Sequence, residues 1–170
     1  FHYSGPACMA KMEGMVISEF VHDFDKATDA CIHFLNEHPG IDAIHSPTIY
    51  PTVLANLWLS EIRIPGEDLP DDELWQVVEH ENMDLEDYER IIQMGYGPWR
   101  KEYFRKYLTG YEEKMAPFLQ SLPKTYSRIR KEAGVPIMKE GPDAASPIEG
   151  IAGARGLVNF FMDIMDEPEL

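Results

Sequence analysis

One segment limits the fold of this chain more than any other, because it has the pattern of a helix, a tight turn and a strand in direct succession. Asp23 is a good helix N-cap, and Pro39-Gly40 is a strong stop signal. Residues 41–45 (IDAIH) then have the composition of a short strand, which Ser46-Pro47 ends. Between cap and stop, one apolar stripe at helical spacing is formed by Ala27, Ala30, Cys31, Phe34 and Leu35.

A helix followed by a strand is the repeating unit of parallel α/β folds. Two further strands are predicted, at residues 1–4 and 135–138, and each is followed by a Gly-Pro pair. Residues 61–64 and 74–80 flank a turn-rich stretch and predict a β-hairpin excursion. Apolar periodicity predicts helices after Asp84, over residues 111–133 and near the end of the chain. We therefore expect an α/β chain whose parallel strands share one edge.

Composition excludes several classes of function. The chain of 170 residues carries 30 acidic against 15 basic residues, a net charge of −15, which repels phosphate backbones and anionic membranes. We therefore expect no nucleic acid and no membrane among its partners. Its two cysteines are too few for a disulfide framework and predict a cytoplasmic protein.

Metal and nucleotide motifs are missing from the sequence. It has no Cys-x-x-Cys pair and no Walker or dinucleotide loop. Cys31 and His33 lie two residues apart on a predicted helix and should face apart, Cys31 in the core and His33 in water. The glycine-rich run at residues 150–156 precedes a helix, so it has two interpretations: a flexible loop, favoured here, or an anion site.

The ends of the predicted strands carry the side chains best suited to chemistry. In (β/α) barrels, catalytic groups sit at the carboxyl ends of strands, and histidine suits proton transfer near neutral pH. A structural, hydrogen-bonded role remains the alternative for each residue. The candidates are His2 and Tyr3 near the end of the first strand, His45 and Thr48 at the end of the second, and Lys139, Glu140 and Asp143 after the third.

Several segments in order resemble the uroporphyrinogen decarboxylase superfamily. Residues 134–145 resemble its strand followed by Gly-Pro, and residues 155–163 with 166–170 resemble its next segment. Upstream, residues 18–20, 23–35 and 41–44 are similar to its first helix and second strand, and residues 74–81 to its hairpin. The resemblance covers nearly the whole chain. It implies an N-terminal part, residues 1–170, of a partial (β/α)8 TIM barrel, since a closed barrel needs about 250 residues.

The superfamily implies two chemistries. One is decarboxylation of uroporphyrinogen without a cofactor. The other is methyl transfer between a methylated small-molecule substrate, a corrinoid protein and a thiol, with zinc held by His and Cys in the C-terminal half. Decarboxylation needs cations for a substrate with many carboxylates. This chain has Gly5-Pro6-Ala7-Cys8 in place of the family's Arg-rich loop, and Pro47 near the position of its pyrrole-binding Asp.

The departures favour the corrinoid methyltransferase-like branch, in which His2, His45 and Glu140 would act as catalytic residues. Tyr3, Thr48, Lys139 and Asp143 would bind substrate. We expect no cofactor within these residues, and zinc and a corrinoid partner only for the full-length protein. Two alternatives stay open: a divergent uroporphyrinogen decarboxylase, and a non-catalytic module that binds a partner through its open sheet edge.

Overall fold

A computed structural model describes residues 1–138 and 146–166 of the chain. Helices account for 62% of the structure. The four strands are β1 (His2–Tyr3), β2 (Ala43–Ile44), β3 (Ile62–Arg63) and β4 (Gln76–Val77). The α-helices are α1 (Pro6–Met12), α2 (Ile17–His22), α3 (Phe24–Glu37), α4 (Ala55–Trp58), α5 (Leu85–Met94), α6 (Tyr96–Tyr107), α7 (Tyr111–Arg128), α8 (Pro147–Arg155) and α9 (Leu157–Asp166). A 3-10 turn, Pro51–Leu54, precedes α4, and a π-helical turn, Ile129–Ala133, follows α7.

The predicted α/β class, a partial TIM barrel, is wrong for the described residues. Each sheet has two strands of two residues. β1 pairs with β2 in parallel, and β3 pairs with β4 in antiparallel orientation. The predicted third strand contributes only an isolated parallel bridge, between Ile137 and Ile44. The physical reason is that most of the backbone N–H and C=O groups are satisfied inside helices, so the ladders stay too short to close a barrel.

The described residues divide into two compact units. The first comprises Phe1–Pro51, Arg63–Gln76 and residues 113–138. In it α1, α2 and the π-helical turn pack against α3, and Phe20 and Cys31 are fully buried in the core. A buried hydroxyl pair adds a polar link: the Thr28 hydroxyl donates to the Phe24 carbonyl at 2.6 Å and lies 2.9 Å from the Thr125 hydroxyl.

The second unit comprises Thr52–Ile62, Val77–Glu112 and residues 146–166. In it α4 packs against α8, α5 against α6, and α8 against α9. Its largest buried side chain is Trp99, whose indole N–H donates to Asp87 Oδ1 at 2.9 Å. Asp87 also completes the capping box that begins α5 at Asp84.

Several local predictions are confirmed. Asp23 caps α3 by accepting from the Lys26 N–H, Asp84 caps α5, and Gly134 follows the π-helical turn with a φ of 70°. Cys31 is buried, whereas His33 is exposed. The glycine-rich run is different: residues up to Arg155 belong to helix α8, so the predicted flexible loop there is wrong.

Candidate functional site

The pairing of β1 with β2 brings two of the predicted residues to one short ladder. His2 pairs with Ala43 and Tyr3 with Ile44 in parallel register. Because side chains alternate along a strand, His2 and Ala43 share one face, and Tyr3 and Ile44 share the other. His45 follows β2 directly and lies in a bend. We call the region of the ladder that His2, Ala43 and His45 occupy the histidine face.

Backbone hydrogen bonds fix the ends of these strands. The His45 N–H donates to the Tyr3 carbonyl at 2.8 Å. On the other side of β2, the Ile44 N–H donates to the Pro136 carbonyl at 3.0 Å, and the Met138 N–H donates to the Ile44 carbonyl at 2.9 Å. Three separate segments of the first unit therefore run parallel at this point, and their carboxyl ends meet at one edge.

The two histidines of this face differ in exposure. His2 is exposed, whereas His45 is half-buried. His45 Nδ1 lies 3.2 Å from the Ser46 hydroxyl, a contact that restrains the ring, and no hydrogen bond within the described residues engages Nε2. The Nε2 atom of His45 is therefore open to a hydrogen bond with a small molecule.

Thr48 lies on the chain that leaves β2, and its side chain is 2% exposed. Its hydroxyl has no hydrogen-bond partner among the described residues. Leaving a buried hydroxyl unpaired costs about 1–3 kcal/mol, so such groups in native proteins call for a reason, of which a binding role is one. Thr48 and Tyr96 are the described residues with a buried side-chain oxygen that lacks a hydrogen-bond partner, and Thr48 is the one predicted as a site residue.

Tyr3 lies on the opposite face of β1 from His2. Its ring packs against Phe34 of α3 at 4.9 Å between centroids, and its hydroxyl donates to the Gly5 carbonyl at 3.0 Å. Burial, with a hydrogen bond to the Cys8 thiol, raises the pKa of Tyr3 to about 12. The phenol is thus neutral at physiological pH and holds the turn after β1. The other predicted site residues, Lys139, Glu140 and Asp143, lie outside the described residues.

A second candidate region belongs to the second unit and was not predicted. It is an open cavity of about 700 Å³ that we call the apolar groove. The sequence predicted helix α9 but gave no sign that its apolar side chains would line an open surface. The groove is lined chiefly by Trp58, Val77, Ile148, Leu157, Phe161 and Ile164.

Glycine decides how closely the groove's walls approach each other. A Cβ at Gly153 would collide with the carbonyl group of Trp58, at 2.6 Å from its carbon atom. Gly150, one turn earlier on α8, lies against the hydroxyl of Tyr96. Gly153 therefore lets α8 pack directly on the backbone that ends α4.

None of the residues of helix α9 is buried. Polar contacts hold the helix in place. Arg155 forms two hydrogen bonds to Asp163, at 2.6 and 3.1 Å, and Tyr88 donates to the same carboxylate at 3.0 Å. The Arg155 guanidinium lowers the pKa of the Asp163 carboxyl. Burial, and to a smaller extent the hydrogen bond to Asp163, raises the pKa of Tyr88 to about 12. A bidentate ion pair therefore anchors the helix.

No group of three metal-ligating side chains occurs among the described residues. The described helices include none with the length and apolar character to cross a membrane. A scan against protein-family models, a search of curated proteins and a search of solved structures each found no match.

Proposed function

We propose that this chain contributes the N-terminal part of a small-molecule enzyme related to the uroporphyrinogen decarboxylase superfamily, on its corrinoid-linked methyl-transfer branch. One observation supports the proposal: β1 and β2 pair in parallel, and the His45 N–H donates to the Tyr3 carbonyl at 2.8 Å, so the predicted catalytic residues His2 and His45 belong to neighbouring segments of one ladder. The resemblance of the sequence segments supports the choice of family.

The charges around this face favour methyl transfer over decarboxylation. The segment after β1, Gly5-Pro6-Ala7-Cys8, has no cation, and the first arginine of the chain is Arg63. Arg63 donates to the Asp68 carbonyl at 2.8 Å. A substrate with many carboxylates would meet net repulsion here, whereas a neutral or cationic methylated molecule would not.

Within this proposal, residues of this chain bind the substrate and transfer a proton to or from it. His45 would exchange a proton with a polar atom of the substrate, and the unpaired Thr48 hydroxyl would supply a hydrogen bond. The described residues do not fit a zinc ion, so no step of this proposal runs through a metal. The partner would be a corrinoid protein, and the low cysteine content supports a cytoplasmic location.

The test uses the gene product that contains this chain, mixed with cob(I)alamin and methanol or a methylamine, with methylcobalamin formation followed by absorbance. We expect His45→Ala to lower the rate about 10²-fold, the usual contribution of a proton-transfer group. His33→Ala is the matched control, because His33 is exposed and pairs with Glu13 in the same unit.

Two results would overturn the proposal. Conversion of uroporphyrinogen to coproporphyrinogen by the same protein would assign it to the decarboxylase branch. Equal rates for His45→Ala and His33→Ala would remove the histidine face from the reaction.

A further inference from the structure

The apolar groove of the second unit exposes side chains that folding usually buries. Ile148 is 66% exposed and Phe161 is 60% exposed, and Leu157 and Ile164 beside them are also exposed. A contiguous exposed apolar surface of this kind marks a binding surface more often than chance placement of single residues does. Its volume of about 700 Å³ lies in the range of ligand-binding clefts.

The charged residues that line the groove are all of one sign. They are Glu79 and Glu149, and neither lysine nor arginine lines the described cavity. Each carboxylate accepts one backbone N–H, Glu79 from Leu157 at 3.2 Å and Glu149 from Ser146 at 3.1 Å. A carboxylate has room for further donors, so both can receive a cationic partner without giving up these bonds.

We propose that the groove binds an amphipathic helix of a partner protein whose polar face is basic. An apolar cleft takes such a helix through anchors at i, i+3 or i+4, and i+7, and the two glutamates complement flanking lysine or arginine side chains. A second copy of this chain, at a net charge of −15, would be repelled, as would an anionic membrane. The inference is independent of the proposed methyl transfer, because it concerns a different unit and different residues.

The experiment measures fluorescence anisotropy of labelled model peptides titrated with the protein. Two peptides of roughly four helical turns share one leucine pattern, and the remaining positions are lysine in one and glutamate in the other. We expect the lysine peptide to bind at least about tenfold tighter, the equivalent of one fully formed interface contact. The preference should shrink as salt is raised.

Variants locate the binding surface. Phe161→Asp should weaken the lysine peptide about tenfold or more, because it puts a charge among apolar anchors. Ile92→Asp on α5 makes the same change in charge at an equally exposed apolar residue that does not line the groove, and it should leave affinity unchanged. Replacing Glu79 and Glu149 with glutamine keeps their backbone hydrogen bonds and should weaken binding about threefold.

Several outcomes would overturn the proposal. They are equal affinity for the two peptides, an equal loss in the Phe161→Asp and Ile92→Asp variants, and binding of neutral phosphatidylcholine vesicles that Phe161→Asp abolishes. A dimer in sedimentation that Phe161→Asp dissociates, without peptide binding, would assign the groove to self-association. Circular dichroism of each variant distinguishes a loss of binding from a loss of folding. None of these outcomes changes the result expected in the methyl-transfer assay.

Discussion

The two units of this protein treat similar amphipathic helices in different ways. Helix α3 of the first unit carries an apolar stripe, and residues such as Cys31, Phe34 and Leu35 are buried by neighbouring helices. Helix α9 of the second unit carries an apolar stripe as well, yet none of its residues is buried. The comparison teaches that periodicity predicts a helix and its apolar side, whereas burial depends on whether another element covers that side.

The units also differ in what holds them together. Most of the large, fully buried apolar side chains of the described residues lie in the first unit. The second unit relies more on specific contacts: the Trp99–Asp87 hydrogen bond, the close approach at Gly153 and the Arg155–Asp163 ion pair. Truncation of apolar side chains should therefore lower the stability of the first unit more than that of the second. Substitutions that break one of these specific contacts should lower the stability of the second unit more.

The largest expected effect is on the free energy of unfolding. It compares the substitution of a phenylalanine by alanine in the first unit with the same substitution in the second. Phe20→Ala removes a fully buried ring from the first unit and should lower the free energy of unfolding by about 3–5 kcal/mol. Phe161→Ala removes an exposed ring from the second unit and should change it by less than about 0.5 kcal/mol. Urea denaturation followed by circular dichroism measures both. Similar losses would mean that the groove is filled in solution.

An intermediate effect is expected at the close approach of α8 and α4. Gly153→Ala forces a methyl group against the Trp58 carbonyl and should destabilise the second unit by about 1–3 kcal/mol. Gly97→Ala on α6 is the control, because a Cβ there meets nothing within 4 Å. Hydrogen exchange with peptide-level mass spectrometry should show faster exchange in α4 and α8 and unchanged exchange in α3. Unchanged exchange in α8 would contradict the packing described here.

The smallest expected effect is on the stability of the protein at acidic pH. Arg155 holds the pKa of Asp163 below its ordinary value in the folded state, so this carboxylate contributes stability that is present above about pH 4. That stability should be lost as the pH falls through the folded-state pKa. Melting temperature measured against pH should therefore drop less steeply in Asp163→Asn than in the parent. The control is Asp25→Asn, since Asp25 pairs with Lys124 at an exposed site and its loss should barely change the curve.

Local signals in the sequence predicted local structure well. The caps at Asp23 and Asp84 act through neighbouring atoms, so they need no tertiary information. The predictions failed where the outcome depends on distant partners. The third strand predicted at residues 135–138 contributes only one parallel bridge, between Ile137 and Ile44.

In the candidate functional regions, too, the sequence predicted some features and missed others. His2 and His45 were predicted as strand-end residues, because strand ends can be located from Gly-Pro and Ser-Pro exits. The separation of Tyr3 from His2 follows from the alternation of a strand once its register is known. The apolar groove could not be predicted, because its walls join segments as distant in sequence as Trp58 and Phe161.

The sequence by itself determined the helical stripes, the helix caps and the acidic charge of this protein, since these depend on neighbouring residues and composition. Only the tertiary structure decided that the strands pair over two residues, that a barrel does not close in the described residues, and that α9 leaves its apolar side open. The physical reason is that pairing and burial are properties of two surfaces in contact, and a single chain segment encodes only one of them.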